Sequence, residues 1–135
     1  MLLLDLDHFK AINDTYGHPT GDLVLREIAI ALRDEVREQD VCGRWGGEEF
    51  AIVVPNVPTM EHLGRLADRI RRRVPRVAVV LPDRDTVISE VTVSIGCAIY
   101  PAEHLTGVDD VLVATDTALY RAKQAGRNRV ELATG

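Results

Sequence analysis

The stretch at residues 44–50, "RWGGEEF", sets two glycines against two glutamates between two β-prone runs at 41–45 and 50–54. A Gly-Gly pair between short strands predicts a tight hairpin, because the favoured two-residue turns need positive φ. Carboxylates at such a tip fill no core and cap no helix, so their placement asks for another reason.

Working outward, residues 2–7 ("LLLDLD") read as a buried strand, followed by a short helix around "FKAIND". "YGHPTGD", residues 16–22, reads as a loop of punctuating residues. From Asp22 to Arg37, Leu25, Ile28, Ala29, Leu32 and Val36 fall at helical spacing. Thr59 is placed to N-cap a helix carrying Leu63, Leu66, Ala67 and Ile70 on one face. "VAVVL" (77–81) and the alternating "VTVSIGCAIY" (91–100) predict strands, the second with Val91, Val93, Ile95, Cys97 and Ile99 on one side. A last helix spans 108–126, stopped by Gly126, and "RVEL" adds an edge strand. The order β-α-α-β-β-α-β-β-α-β predicts an α/β or α+β sheet covered by helices.

The 135 residues, 46% hydrophobic and 27% charged, suit one globular domain with a real core. A net charge of −5 argues against general nucleic-acid binding, and the arginine-rich run "RIRRRVPR" (69–76) reads as a solvated basic face. Cys42 and Cys97 lie far apart in no metal-ligand spacing, and read as free thiols of a reducing cytoplasm. No stretch reads as a signal peptide or membrane span, so no membrane contact is expected from this segment.

Asp5 closes the first strand beside Asp7. Taken alone, Asp5 reads as a solubilising strand end, and Glu48 and Glu49 as polar turn residues. Taken together, a strand-end Asp and a hairpin-tip Glu from neighbouring strands can share a hard divalent cation. Mg²⁺ takes one or two carboxylates and leaves its other positions to phosphate and water. The bare Gly46 and Gly47 would let a nucleotide lie close to the backbone. Asn13, His18 and Asp22 follow the first strand, and Asn and Asp are side chains that match a guanine edge. Lys10 is placed to meet a γ-phosphate. Lys123 and Arg127, at i and i+4 near a helix end, can reach one anion.

Four stretches, "DLDHFKAINDTYGHPTGD" (5–22), "RWGGEEF" (44–50), "VTVSIG" (91–96) and "ALYRAKQAGRNRV" (118–130), stand in an order and spacing that resemble the GGDEF domain of bacterial diguanylate cyclases. The resemblance runs from Leu2 to Val130, with Glu48 as the family's accepted Glu variant. It implies a central, mainly antiparallel sheet surrounded by helices, similar to nucleotidyl cyclases and polymerase palms. It implies condensation of two GTP into cyclic di-GMP and two pyrophosphates. Carried over by position, Asp5, the Leu6 carbonyl and Glu48, with Glu49 beside them, would hold Mg²⁺, or Mn²⁺ in its place. Glu48 would accept the proton of the attacking 3′-hydroxyl. Asn13 and Asp22 would read guanine with His18 near ribose and base, while Lys10, Lys123 and Arg127 neutralise phosphates. Each domain would hold one GTP, so catalysis would need a homodimer.

"REQD", Arg37 to Asp40, lies where the family carries an inhibitory RxxD site for its product, with Arg69 a weaker candidate for the same pocket. Its other reading is a helix-end ion pair. The family commonly carries a helix and turn before the first strand, and this chain opens on the strand, so the domain is expected to be truncated at its N-terminus. A sensor domain is expected N-terminal to it in a longer protein, and the location is expected to be cytoplasmic, as the cytoplasmic part of a membrane-bound protein if such a sensor is anchored. Trp45 stands where the family commonly has Tyr; beside the signature it reads either as a reporter of nucleotide binding or as packing of the hairpin, the second being expected. Against the cyclase stands a non-catalytic module that binds GTP or cyclic di-GMP as a regulatory ligand. A different palm-like transferase would leave "GGEEF" together with RxxD unexplained.

Overall fold

A computed structural model describes residues 1–134 of the chain. Its elements run β1 (Leu2–Leu6), α1 (Phe9–Tyr16), α2 (His18–Glu35), β2 (Val41–Gly46), β3 (Glu49–Val53), α3 (Met60–Arg73), β4 (Val79–Val80), β5 (Val87–Ile88), β6 (Val93–Cys97), α4 (Val108–Gln124) and β7 (Val130–Leu132). The main sheet has the order β2-β3-β1-β6-β7. Its neighbours pair antiparallel except β6 with β7, which are parallel. The expected α+β architecture, mainly antiparallel, is therefore present.

β1 is buried on both faces because it is the central strand, which explains its near-continuous apolar run. Leu2, Leu4 and Leu6 join Phe50, Ile52 and Ile95 in one core with Ile28 of α2 and Leu63 and Ile70 of α3. Each such side chain contributes about 1.5–3 kcal/mol by leaving water. On β6, the absent side chain of Gly96 admits α4: a Cβ there would stand 2.3 Å from both the Leu119 amide nitrogen and the Thr115 carbonyl oxygen. α4 thus lies directly on the sheet, and its last turn is carried toward the end of β1.

Three expectations need correction. Residues 16–22 are not a loop: Gly17 alone, at φ +90, separates α1 from α2, and Pro19 sits in the first turn of α2 where its missing N–H is harmless. "VAVVL" supplies only the two residues of β4, which pair with β5 in a separate two-stranded sheet that the sequence reading did not separate out. The strand expected over residues 91–100 is reduced to Val93–Cys97, since its sheet neighbours β1 and β7 supply partners for no more than Val93–Cys97. The Thr59 cap is as expected, its hydroxyl accepting from the His62 amide. Cys42 and Cys97 are free thiols. Among the described residues no helix is long and apolar enough to cross a membrane.

Candidate active site

The hairpin expected from "GGEE" joins β2 to β3, with Gly47 at φ +38. Arg44 Nε donates to the Gly47 carbonyl at 2.8 Å and pins the turn. A Cβ at Gly46 or Gly47 would meet no atom within 4 Å. Gly46 has no positive φ either, so nothing inside the chain requires glycine there, and the tip is bare toward solvent. Trp45 does not pack the hairpin as expected. It is 55% exposed, at the register shift between Arg44 and Gly46 where β2 bulges against β3.

The tip lies against the end of β1. Asp5 pairs in register with Glu49, and the Leu6 amide donates to the Glu48 carbonyl at 3.2 Å. Asp5 is 7% exposed, and Lys123 of α4 donates to its Oδ2 at 2.7 Å. Burial pushes the Asp5 carboxyl above its ordinary range; the Lys123 hydrogen bond and charge pull it back, and Glu48 raises it again. The Glu49 carboxyl is raised too, by burial first and then by the Asp5 charge. Asp5, Leu6, Glu48, Glu49 and Lys123 therefore form one cluster from three elements, β1, β3 and α4, and the hairpin turn.

Among the described residues no three His, Cys, Asp or Glu side chains stand at metal-holding spacing. The cluster nevertheless fits a hard cation: its donors are carboxylate and carbonyl oxygens, and its crowded carboxylates carry more negative charge than Lys123 alone offsets. Mg²⁺, which binds through one or two carboxylates and keeps water and phosphate, suits that donor set.

Asp7 belongs to this end of the fold and has no role in the sequence reading. Its carboxylate accepts from Ser94 Oγ at 2.6 Å, Thr92 Oγ1 at 2.7 Å and the Asn128 amide at 3.0 Å. It staples β1 to β6 and to the turn after α4. It lies in the turn just after β1, and its partners are 85–121 residues away along the chain, so no local pattern signalled it. The turn after α4 corrects another expectation. α4 ends at Gln124 and Gly126 takes φ +118, so Arg127, at φ +63, is not one helical turn beyond Lys123 on a common face. Arg127 lies exposed in the turn, while Lys123 is engaged by Asp5.

Lys10 and Asn13 sit on α1, His18 and Asp22 on the first turns of α2. Lys10, His18 and Asp22 are exposed, and the Asn13 Oδ1 atom is buried without a hydrogen-bond partner. Asp22 lines a groove of about 400 Å³ between α2 and β2 with Leu25, Gly43, Arg44 and Phe50. Arg37 and Asp40 line a second depression of about 450 Å³ with Arg33, Val36 and Cys42. Asp40 Oδ2 accepts from the Arg37 amide at 2.8 Å, while its Oδ1 is buried and unpartnered. Asp40 thus meets the Arg37 backbone amide, and the two side chains do not form the helix-end ion pair that was the alternative. Arg69 is not in that depression: its guanidinium donates to the Glu35 carboxylate at 2.8 Å and the Glu35 carbonyl at 2.7 Å, tying α3 to the end of α2.

Comparison with known proteins agrees with this architecture. The family model described as "Diguanylate cyclase, GGDEF domain" matches residues 1–129. Diguanylate cyclase DosC of Escherichia coli is 41% identical over 98% of this chain and 28% of its own length. The GGDEF domain of PA1120 from Pseudomonas aeruginosa superposes with a TM-score of 0.91 at 36% identity, over 99% of this chain and 81% of that one. The GGDEF domain of DgcB from Caulobacter crescentus, solved in complex with c-di-GMP, gives a TM-score of 0.87 at 35% identity, over 98% and 75%. The fold is thus the palm-like one of nucleotidyl cyclases. This chain belongs to the GGDEF domain family of diguanylate cyclases. It spans between 21% and 35% of the length of the curated relatives it matches first.

Proposed function

We propose that the chain is an active diguanylate cyclase domain, joining two GTP molecules into cyclic di-GMP with release of two pyrophosphates. The observation that carries this is the convergence of Asp5, Glu48 and Glu49 on a side-chain-free glycine tip, beside the Lys123 ammonium. Phosphoryl transfer needs in-line placement and charge neutralisation more than covalent help. Asn13 and Asp22 hydrogen-bond the guanine edge, with His18 at the ribose and base. Lys10, Lys123 and Arg127 neutralise phosphates, and the Glu48 carboxylate at the open tip takes the proton of the attacking 3′-hydroxyl. Mg²⁺, or Mn²⁺, held by Asp5, Glu48 and the Leu6 carbonyl with Glu49 alongside, would supply charge neutralisation at the exchanging phosphates. One domain holds one GTP, so two copies must face each other for each 3′-hydroxyl to reach the other's α-phosphate. Such GTP chemistry and the two free thiols suit the cytoplasm.

Arg37 and Asp40 bind the product and inhibit. Support comes from the unpartnered, buried Asp40 Oδ1, an acceptor facing no donor of its own chain. Arg69 can join only after releasing Glu35.

A regulatory module that binds GTP or cyclic di-GMP without turnover is the second reading. The ion pair that engages Asp5 with Lys123 favours it, since it occupies a carboxylate the metal needs. Glu48→Ala separates the two. In a cyclase it lowers turnover by about 10²–10³, as for loss of one preorganised electrostatic group, with GTP still bound. Wild type and variant equally silent, both binding GTP, would assign the module.

A further inference from the structure

Asp7 is the acidic residue at this end of the fold with no chemistry assigned to it. Its carboxylate is buried, and none of its three donors, the Ser94 and Thr92 hydroxyls and the Asn128 amide, carries a charge. Burying a carboxylate among neutral donors is costly, so its bonds must hold something that needs holding. Asn128 follows Gly126 and Arg127, and the three take φ +118, +63 and +46 in succession. Left-handed backbone is routine for glycine and occasional for asparagine, but an arginine and an asparagine together there need support from outside the turn. The Arg127 amide donates to the Ala122 carbonyl and the Asn128 amide to Asp7, each at 3.0 Å, so one bond lies on either side of Arg127. Two residues before Asp7, Asp5 takes the Lys123 ammonium at 2.7 Å. The two aspartates thus hold both ends of residues 123–128, with the exposed Arg127 between them.

We propose that Asp7 is a positioning residue for the phosphates of the nucleotide: by holding the Asn128 amide it keeps the left-handed turn closed and Arg127 beside the end of β1. The inference rests on the proposed phosphate-neutralising role of Arg127 and deepens it. An arginine on a free turn must lose backbone freedom each time it meets an anion, whereas one on a turn already fixed does not, so affinity for phosphate depends on Asp7 without contact. The residues proposed for base and ribose lie on α1 and α2, away from this turn in the chain, so the effect falls on the phosphates.

The test is calorimetric affinity for GTP and for GMP, which keeps base and ribose but a single phosphate, in the Glu48→Ala background so that turnover does not interfere. The parent, Asp7→Ala, Asp7→Asn, Arg127→Ala and Asp7→Ala combined with Arg127→Ala are compared. Asp7→Ala weakens GTP binding about tenfold and GMP binding by less than about twofold. Asp7→Asn exchanges a charge-assisted bond for a neutral one of the same shape, and weakens GTP binding about threefold. Arg127→Ala alone weakens GTP binding about tenfold, and adding Asp7→Ala to it costs less than about twofold more, as coupled sites require. Should Asp7→Ala fail to fold, Asp7→Asn carries the same comparison, alone and combined with Arg127→Ala. A purely structural aspartate lowers the melting temperature and leaves the GTP-to-GMP ratio at the parental value, and that result overturns the inference alone. A double variant whose loss is the product of the two single losses overturns it too. Arg127→Ala binding GTP as the parent does overturns the phosphate role of Arg127 itself.

Discussion

Lys123 Nζ lies 2.7 Å from Asp5 Oδ2, a contact between the last turn of α4 and the end of β1 across 118 residues of sequence. The pair is the counter-charge of the site: burial drives the Asp5 carboxyl toward its neutral form, and the ammonium opposes it. Lys123→Met removes the opposing charge and leaves burial and Glu48 to raise the Asp5 carboxyl further. The expected outcome is a loss of at least tenfold in kcat/KM and an acid limb of the pH–rate profile moved to higher pH. Steady-state kinetics across pH checks both.

Asp5 and Glu49 give opposite signs for activity and stability. Both carboxyls are raised in the folded protein relative to the unfolded chain. Their protonated forms therefore favour folding, a contribution fully present below the ordinary carboxylate range and lost as pH rises through the raised values. Activity needs the ionised forms and rises over that same interval. Glu49→Gln should then raise the stability at neutral pH by about 0.5–2 kcal/mol while weakening the metal dependence, a trade common at functional sites. Thermal melts at acid and neutral pH show whether the gain is confined to the higher pH.

Gly96→Ala tests what seats α4. Its Cβ would meet backbone atoms of Thr115 and Leu119 rather than flexible side chains, so α4 must shift off the sheet. Overpacking of this kind costs about 1–3 kcal/mol or more, and because Lys123 rides on α4, activity falls with stability. Chemical denaturation and turnover should move together.

Arg37→Ala should release the product from its depression while leaving the initial rate within about twofold. With a charge-assisted contact gone, the cyclic di-GMP concentration that halves the rate rises at least tenfold. Progress curves that still stall at the parental product level would remove Arg37 from the inhibitory site.

Thr59→Ala serves as the contrast. Its hydroxyl caps α3 by accepting from the His62 amide at 3.2 Å, a bond that involves no member of the acidic cluster. Loss of the cap costs about 1 kcal/mol, and kcat should be unchanged.

Local rules made much of this fold legible. The glycine turn, the capping Thr59 and the stop at Gly126 each act through backbone geometry that sequence expresses directly. The segment at 16–22 misled because Gly, Pro and His punctuate loops as readily as helix starts; one glycine at φ +90 suffices to join two helices. Residue type groups Asp5 with Glu48 and Glu49, and the structure sets Asp5 in register with Glu49 beside the Glu48 turn, whereas residue type does not foretell the pairing of Lys123 with Asp5. The site was not legible where distant partners decide. Asp7 gains its purpose from Thr92, Ser94 and Asn128, and Arg69 is drawn to Glu35, and no spacing along the chain announces either. Arg127 looked helical relative to Lys123 only until the glycine between them turned the chain.

The most direct measurement of the central claim is chromatographic: the purified protein with GTP and Mg²⁺, followed for cyclic di-GMP and pyrophosphate over a range of protein concentrations. An active, dimer-dependent cyclase gives both products in a one-to-two ratio, at rates rising faster than linearly with protein and then stalling as product accumulates. GTP that stays bound and unconverted at every concentration would contradict it.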